Sequence, residues 1–145
     1  MIVVRVQPGP LDPAAELAAL GASGAVASFT GHVRADDGVR LLELEHYPGM
    51  TERALEELAA AAAERWPLSA LRIVHRVGAM QPGEAIVFVG AASDHRAAAL
   101  EATAYLIDRL KTDAPFWKRE SRGGPDAASW VERRAADDEA ATRWD

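Results

Sequence analysis

The sequence predicts an α+β domain with a mixed or antiparallel sheet and two main helices. Three observations carry that expectation. Strand-like and helix-like runs follow one another in the order β-α-β-β-α-β-β-α. Two Ala-rich stretches, Thr51–Trp66 and about Asp94–Leu110, repeat apolar residues at helical spacing over about four turns each. Ile86–Val89 is a near-continuous apolar run, which puts its strand in the middle of a sheet with both faces covered. At 145 residues the chain reads as one domain over 1–145, with the tail from about 133 either helical or frayed.

Ile2–Val6 alternates as a short strand ended by Pro8-Gly9-Pro10. Asp12 is an N-cap and Pro13 a first helical residue, opening a short helix through Leu20. After a break at Gly21–Gly24, Ala25–Val33 forms a strand, with His32 and Arg34 at its end before the turn signal Asp36-Asp37-Gly38. Arg40–Tyr47 alternates in turn, and the short connection predicts an antiparallel hairpin with the strand before it. Pro48-Gly49 leads into the first long helix. Its expected N-cap is Thr51, without a capping box because Ala54 stands at the third position. Leu55, Leu58, Ala59 and Ala62 form its apolar stripe, and Pro67 ends it.

Leu71–Val77 and Ala85–Ala91 are strands joined by a turn-rich loop from Gly78 to Gly83. The second long helix begins with Ser93 or Asp94 as cap and is stopped by Pro115, whose ring clashes with the preceding turn and offers no N–H. Ser121–Ala128 reads as a loop and Trp130-Val131-Glu132 as a last short strand.

Composition narrows the function. A formal net charge of −6 argues against a nucleic-acid binder working through bulk charge, so any anion site is a local basic cluster. No run of apolar residues is long enough to span a membrane, and the N-terminus lacks the basic flank and apolar core of a signal peptide. The chain has no cysteine, which removes disulfides, thiolate nucleophiles and Cys-metal sites and fits a cytoplasmic protein. The four histidines show no metal-ligand spacing, so no metal is expected. Neither a glycine-rich nucleotide loop nor a nucleophile elbow occurs, and no cofactor is expected.

The stretch KTDAPFWKRE, Lys111–Glu120, carries the most chemistry. Lys111 and Lys118 flank what reads as a rigid aromatic turn at Pro115-Phe116-Trp117. Two ammonium groups beside apolar rings can hold an anion, and desolvation makes either amine easier to deprotonate. Lys111 can also simply end a helix, where a cation complements the dipole. His95 and Arg96 in the first turn of the long helix form a second anion site, or else a solvated helix start. Arg34 is a third candidate. Arg96 and Lys111 stand fifteen residues apart on one helix, roughly 22 Å at 1.5 Å per residue, so they cannot share one small anion within a chain. If both serve one site, a second subunit supplies one set.

Several stretches together resemble one family, the large (catalytic) subunit of molybdopterin synthase. They are SFTGHVR (Ser28–Arg34), LEHYPGMTE (Leu44–Glu52), RWPL (Arg65–Leu68), HRVG (His75–Gly78), GEAIVFVG (Gly83–Gly90), SDHR (Ser93–Arg96), Asp108–Glu120 with KTDAPFWKRE, and Trp130-Val131-Glu132. The resemblance runs in order from about Gly24 to Glu132. It implies an α/β hammerhead-type fold and a homodimer within a heterotetramer. The outer subunits would be small ubiquitin-like sulfur carriers with a C-terminal Gly-Gly thiocarboxylate.

The activity implied is sulfur transfer from that thiocarboxylate to cyclic pyranopterin monophosphate, which forms the dithiolene of molybdopterin. Carried over by position, Lys111 and Lys118 would be catalytic. Phe29, Arg34, Glu120 and Arg134 would line the substrate pocket, and His95 and Arg96 would come from the other subunit. A chain without cysteine suits this scheme, since the sulfur arrives on a partner. The competing expectation is a non-catalytic dimeric scaffold that docks such a tail, which would tolerate loss of Lys111.

Overall fold

The computed structural model describes residues 1–35, 38–122, 129–131 and 134–145. Its elements are β1 (Ile2–Gln7), α1 (Pro13–Ala19), β2 (Ala25–His32), β3 (Leu41–His46), α2 (Met50–Arg65), β4 (Ala70–Arg76), β5 (Gly78–Met80), β6 (Ala85–Ser93), α3 (Arg96–Asp113), β7 (Phe116–Ser121), β8 (Ser129–Val131) and α4 (Ala135–Thr142). Most of the Asp36-Asp37-Gly38 turn, residues 123–128 of the expected loop, Glu132 of the last strand and Arg133 of the tail lie outside the described residues.

The strands form two sheets, ordered β1-β4-β6-β2 and β5-β3-β7-β8. Among the described residues only β1 and β4 pair in parallel; the other pairs are antiparallel. The apolar strand β6 sits inside the first sheet, as its composition requires. Leu71, Ile73, Val87 and Val89 face α2 and α3, while Val74, Phe88 and Ala92 face α1. Period-two alternation with both faces covered leaves no polar position along Ile86–Val89. Gly90 is part of this packing: a Cβ there would lie 2.5 Å from Leu20 Cδ1.

The expected hairpin between Ala25–Val33 and Arg40–Tyr47 does not form. β2 pairs along its whole length with β6, from Ala25 opposite Ser93 to His32 opposite Ala85. β3 instead lies between β5 and β7, where Leu42 and Leu44 close a separate small core with Val33 and Met80. Alternation within each segment gave no information about which sheet it joins. The loop expected at Gly78–Gly83 contains β5 for the same reason: Gly78–Met80 pairs with Leu42–Leu44.

The helix starts also differ in detail. Asp12 caps α1 as expected, accepting the Ala15 N–H at 3.2 Å. Thr51, however, is not the cap of α2. Gly49 is, at φ +87°, and the Glu52 carboxylate accepts the Gly49 N–H at 3.3 Å. Thr51 lies buried in the first turn. Its hydroxyl accepts the Tyr47 N–H and donates to the Pro115 carbonyl, both at 3.0 Å. The cap of α3 is His95 rather than Ser93 or Asp94. Ser93 Oγ accepts the His95 N–H at 3.2 Å and donates to the Pro67 carbonyl at 2.7 Å.

The tail forms α4, fastened to α3 by its last residues. Trp144 meets Trp66 and Tyr105 edge-on and donates its indole N–H to Asp108 at 2.8 Å. Arg143 also binds Asp108, and Arg109 binds Asp145. Among the described residues, no helix is long and apolar enough to cross a membrane.

Candidate active site

Lys111 stands in the last turn of α3. Ala114 takes the extended conformation that a following proline imposes, and the chain reverses at Pro115 into β7. Phe116-Trp117 is therefore the start of a strand rather than the aromatic turn expected from the sequence. The consequence is alternation: Phe116, Lys118 and Glu120 share one face, and Trp117 and Arg119 the other. Trp117 is exposed and meets the Tyr47 ring edge-on at 4.8 Å. β7 is held in register by β3, with Lys118 opposite Leu44 and Glu120 opposite Leu42.

Two cavities meet at the lysines. The larger, about 600 Å³, is lined by Phe29, Arg34, Lys111, Lys118, Glu120 and Arg134 among others. These are six of the eight site residues expected from the sequence. The smaller, about 390 Å³, shares Ile86, Lys111, Lys118, Glu120, Arg134 and Asp137 but is otherwise more apolar, with Leu44, Leu110, Pro115 and Phe116 in its wall. The other two expected residues, His95 and Arg96, are exposed at the opposite end of α3 and line neither cavity. One chain does not bring them to the lysines.

The electrostatics follow from crowding cations in a partly desolvated space. Burial, then the Lys118 charge, pushes Lys111 down to about 8, with Arg34 and Arg134 adding to the fall and Asp137 opposing it. Lys118 is also lowered, by burial first and then by Arg134 and Arg34, against Asp137 and Glu120. Glu120 in turn pairs with Arg122 at 2.9 Å. An amine near 8 is mostly protonated at neutral pH yet releases its proton far more readily than an ordinary lysine, which suits both charge stabilisation and proton transfer.

Asp137 and His75 were not among the expected residues. Asp137 comes from α4 and lines both cavities, the one acidic group from the tail among the described lining residues. Nothing in a tail of mixed charges and alanines singles it out. His75 is the next-to-last residue of β4. It is only 4% exposed, lines the smaller cavity and stacks on Phe116 with ring centroids 3.9 Å apart and planes at 19°.

Known proteins resemble this chain over nearly its whole length. Residues 6–113 match the family model described as MoaE protein. The molybdopterin synthase catalytic subunit of Pseudomonas aeruginosa is 51% identical over 152 aligned positions, covering 99% of both chains. The solved structure of a molybdopterin biosynthesis MoaE protein from Burkholderia ambifaria superposes with a TM-score of 0.84 at 47% identity, covering 99% of this chain and 98% of that one. Molybdopterin synthase from Staphylococcus aureus superposes with a TM-score of 0.76 at 33% identity, over 90% and 95% of the two chains. The chain belongs to the MoaE family, that of the molybdopterin synthase catalytic subunits.

Proposed function

We propose that this chain is the catalytic subunit of a molybdopterin synthase. It transfers sulfur from the C-terminal thiocarboxylate of a small ubiquitin-like carrier subunit to cyclic pyranopterin monophosphate, forming the dithiolene of molybdopterin. The observation that carries this reading is the pair of desolvated lysines, Lys111 and Lys118, where a cation-lined cavity joins a more apolar one. The chain contains no cysteine, so the sulfur has to be delivered on a partner.

The larger cavity, with Arg34 and Arg134, suits the phosphate and the polar edges of a pterin. The smaller cavity suits a narrow, uncharged glycine tail that ends in the thiocarboxylate. Lys111 stands at the junction as an ammonium, stabilising negative charge as it develops and giving up its proton to the group that leaves. Lys118 lowers the Lys111 pKa and binds anionic atoms beside it. Phe29 offers an apolar face to the bound ring.

The reading includes a single domain over 1–145 and a homodimer, in which His95 and Arg96 of one copy complete the cavity of the other, and carriers bound outside to give a heterotetramer. It also includes a cytoplasmic site of action, a reducing compartment in which a thiocarboxylate persists.

The test mixes the purified chain with thiocarboxylated carrier and the cyclic precursor and follows dithiolene formation. Product with the unaltered chain, and almost none with a folded, carrier-binding Lys111→Ala variant, is expected. Carrier binding without product from the unaltered chain would replace the enzyme by a docking scaffold.

A further inference from the structure

His75 holds no substrate atom in this scheme, yet it is nearly buried in the wall of the cavity that both lysines line. Its Nδ1 lies 2.9 Å from the carbonyl oxygen of Arg76. A carbonyl oxygen only accepts, so Nδ1 carries a proton. The ring is neutral: burial pushes it down to about 3, against the Arg76 carbonyl, which favours the charged form. The charged groups around it agree in sign. Lys111 on α3, Lys118 on β7 and His46 on β3 all lower it further, while Arg76 is engaged with Glu84 at 3.0 Å. A neutral ring protonated at Nδ1 has a lone pair at Nε2.

Two further facts give that lone pair a direction. Phe116, stacked at 3.9 Å, covers one face of the ring and fixes its plane. Among the described residues Nε2 has no hydrogen-bond partner, and His75 lines the same cavity as Lys111 and Lys118. Open to that cavity, Nε2 can accept from a donor held there. Of the two ammonium groups in that wall, Lys111 bears on the ring more strongly.

We propose that His75 is a positioning residue for Lys111, its unprotonated Nε2 linked to the Lys111 ammonium through one water in the cavity that both residues line. The inference rests on the sulfur-transfer reading for its kinetic consequence, and on the shared cavity wall and the fixed ring plane for the link itself. The chemistry favours a neutral acceptor at this point. A carboxylate would hold the ammonium in place but restore its basicity, whereas an imidazole aims it and leaves it easily deprotonated. Phe116 holds the imidazole and the next but one residue is Lys118, so one strand sets both the acceptor and the second cation.

The experiment has two arms. In the first, the imidazole nitrogens of the full chain, labelled with nitrogen-15, are observed by NMR around neutral pH. The expected spectrum has a proton on Nδ1, no titration of His75 through the neutral range, and an Nε2 resonance that moves when Lys111→Met removes the donor. In the second arm, turnover is followed with carrier and precursor. His75→Phe keeps a ring on Phe116 and removes both nitrogens. Its kcat should fall about tenfold with KM within about twofold, and the alkaline limb of its rate profile should move to lower pH. His75→Gln, which restores an acceptor oxygen, should recover part of kcat.

An Nε2 resonance indifferent to Lys111→Met overturns the proposal, as does a His75→Phe variant with unaltered kcat and limb. Absence of product from every form, the unaltered chain included, counts against sulfur transfer alone. The NMR arm then decides the hydrogen bond without it.

Discussion

The hydroxyl of Thr51 donates to the carbonyl oxygen of Pro115, 64 residues along the chain, at 3.0 Å. The same oxygen of Thr51 accepts the Tyr47 N–H. One fully buried side chain therefore ties the turn before α2 to the corner between α3 and β7. That corner separates Lys111 from Lys118, so Thr51 fixes the angle at which the two lysines enter the cavities. Thr51→Val preserves the shape but leaves the partly buried Tyr47 N–H and Pro115 carbonyl without their partner, at a cost of about 1 kcal/mol. Thermal unfolding should show that loss, and turnover measured well below the new midpoint should show kcat falling more than KM rises. Wild-type kcat in a destabilised variant would mean that the corner holds its shape without the bond.

Lys111 links stability to pH. Its folded pKa of about 8 lies below its ordinary 10.5, so folding disfavours the charged form. Below about 8 the lysine is protonated in both states and the penalty is fully present. Between about 8 and 10.5 the unfolded chain binds more protons than the folded one, and stability from this group rises with pH. Lys111→Met should therefore raise the unfolding midpoint at neutral pH, by an amount that shrinks as pH is raised through this window. In turnover, where the ammonium is the acting form, the unaltered enzyme should lose rate above about pH 8. A rate that climbs through the same range would make Lys111 a base.

On the far face of the sheet, Glu16 of α1 receives two arginines. Arg72 donates through Nε at 2.8 Å and Nη2 at 2.6 Å, and Arg5 binds the other carboxylate oxygen. Arg72 and Glu16 are both nearly buried, with side chains 11% and 9% exposed. Glu16→Ala leaves the Arg72 guanidinium buried without its partner, which should cost about 3 kcal/mol in urea unfolding. Arg5 is 41% exposed, and Arg5→Ala should cost no more than about 1 kcal/mol beyond lost packing. Equal losses from the two substitutions would show that water reaches Arg72 as readily as Arg5.

What could be read from the sequence was whatever local geometry decides. Asp12-Pro13 starts a helix because capping and a fixed φ act within one turn, and Pro115 ends one for the same reason. Ile86–Val89 announces a central strand because both its faces must be apolar. Pairing is different. β2 and β3 are neighbours in sequence and alternate correctly, yet nothing in either says that one joins β6 and the other β7.

Thr51 misled because an N-cap threonine and a threonine buried against a distant carbonyl look alike in one dimension. The gathering of Phe29, Arg34, Lys111, Lys118, Glu120 and Arg134 along one cavity came from motif resemblance, since spacing alone left Lys111 as a helix end. His75 opens one of the matching stretches, HRVG, but neither it nor Asp137 signalled a place in the cavity wall, because stacking on Phe116 and entry from α4 are tertiary facts.

The position of His95 and Arg96 yields a test of subunit sharing. They are separated from Lys111 by the length of α3, roughly 22 Å at 1.5 Å per residue, and line neither cavity of their own chain. If a two-fold partner supplies them, Arg96→Ala and Lys111→Ala each disable a site, but from opposite sides of the interface. A heterodimer of the two variants then contains one site with both defects and one with none. Co-refolding equal amounts should restore about a quarter of wild-type turnover, because half the dimers are mixed and half their sites intact. Each variant refolded alone should stay near its own low rate. Activity of the mixture equal to the mean of the two parents would place Arg96 outside the partner's site, and the cavity around Lys111 would then work with the residues of one chain.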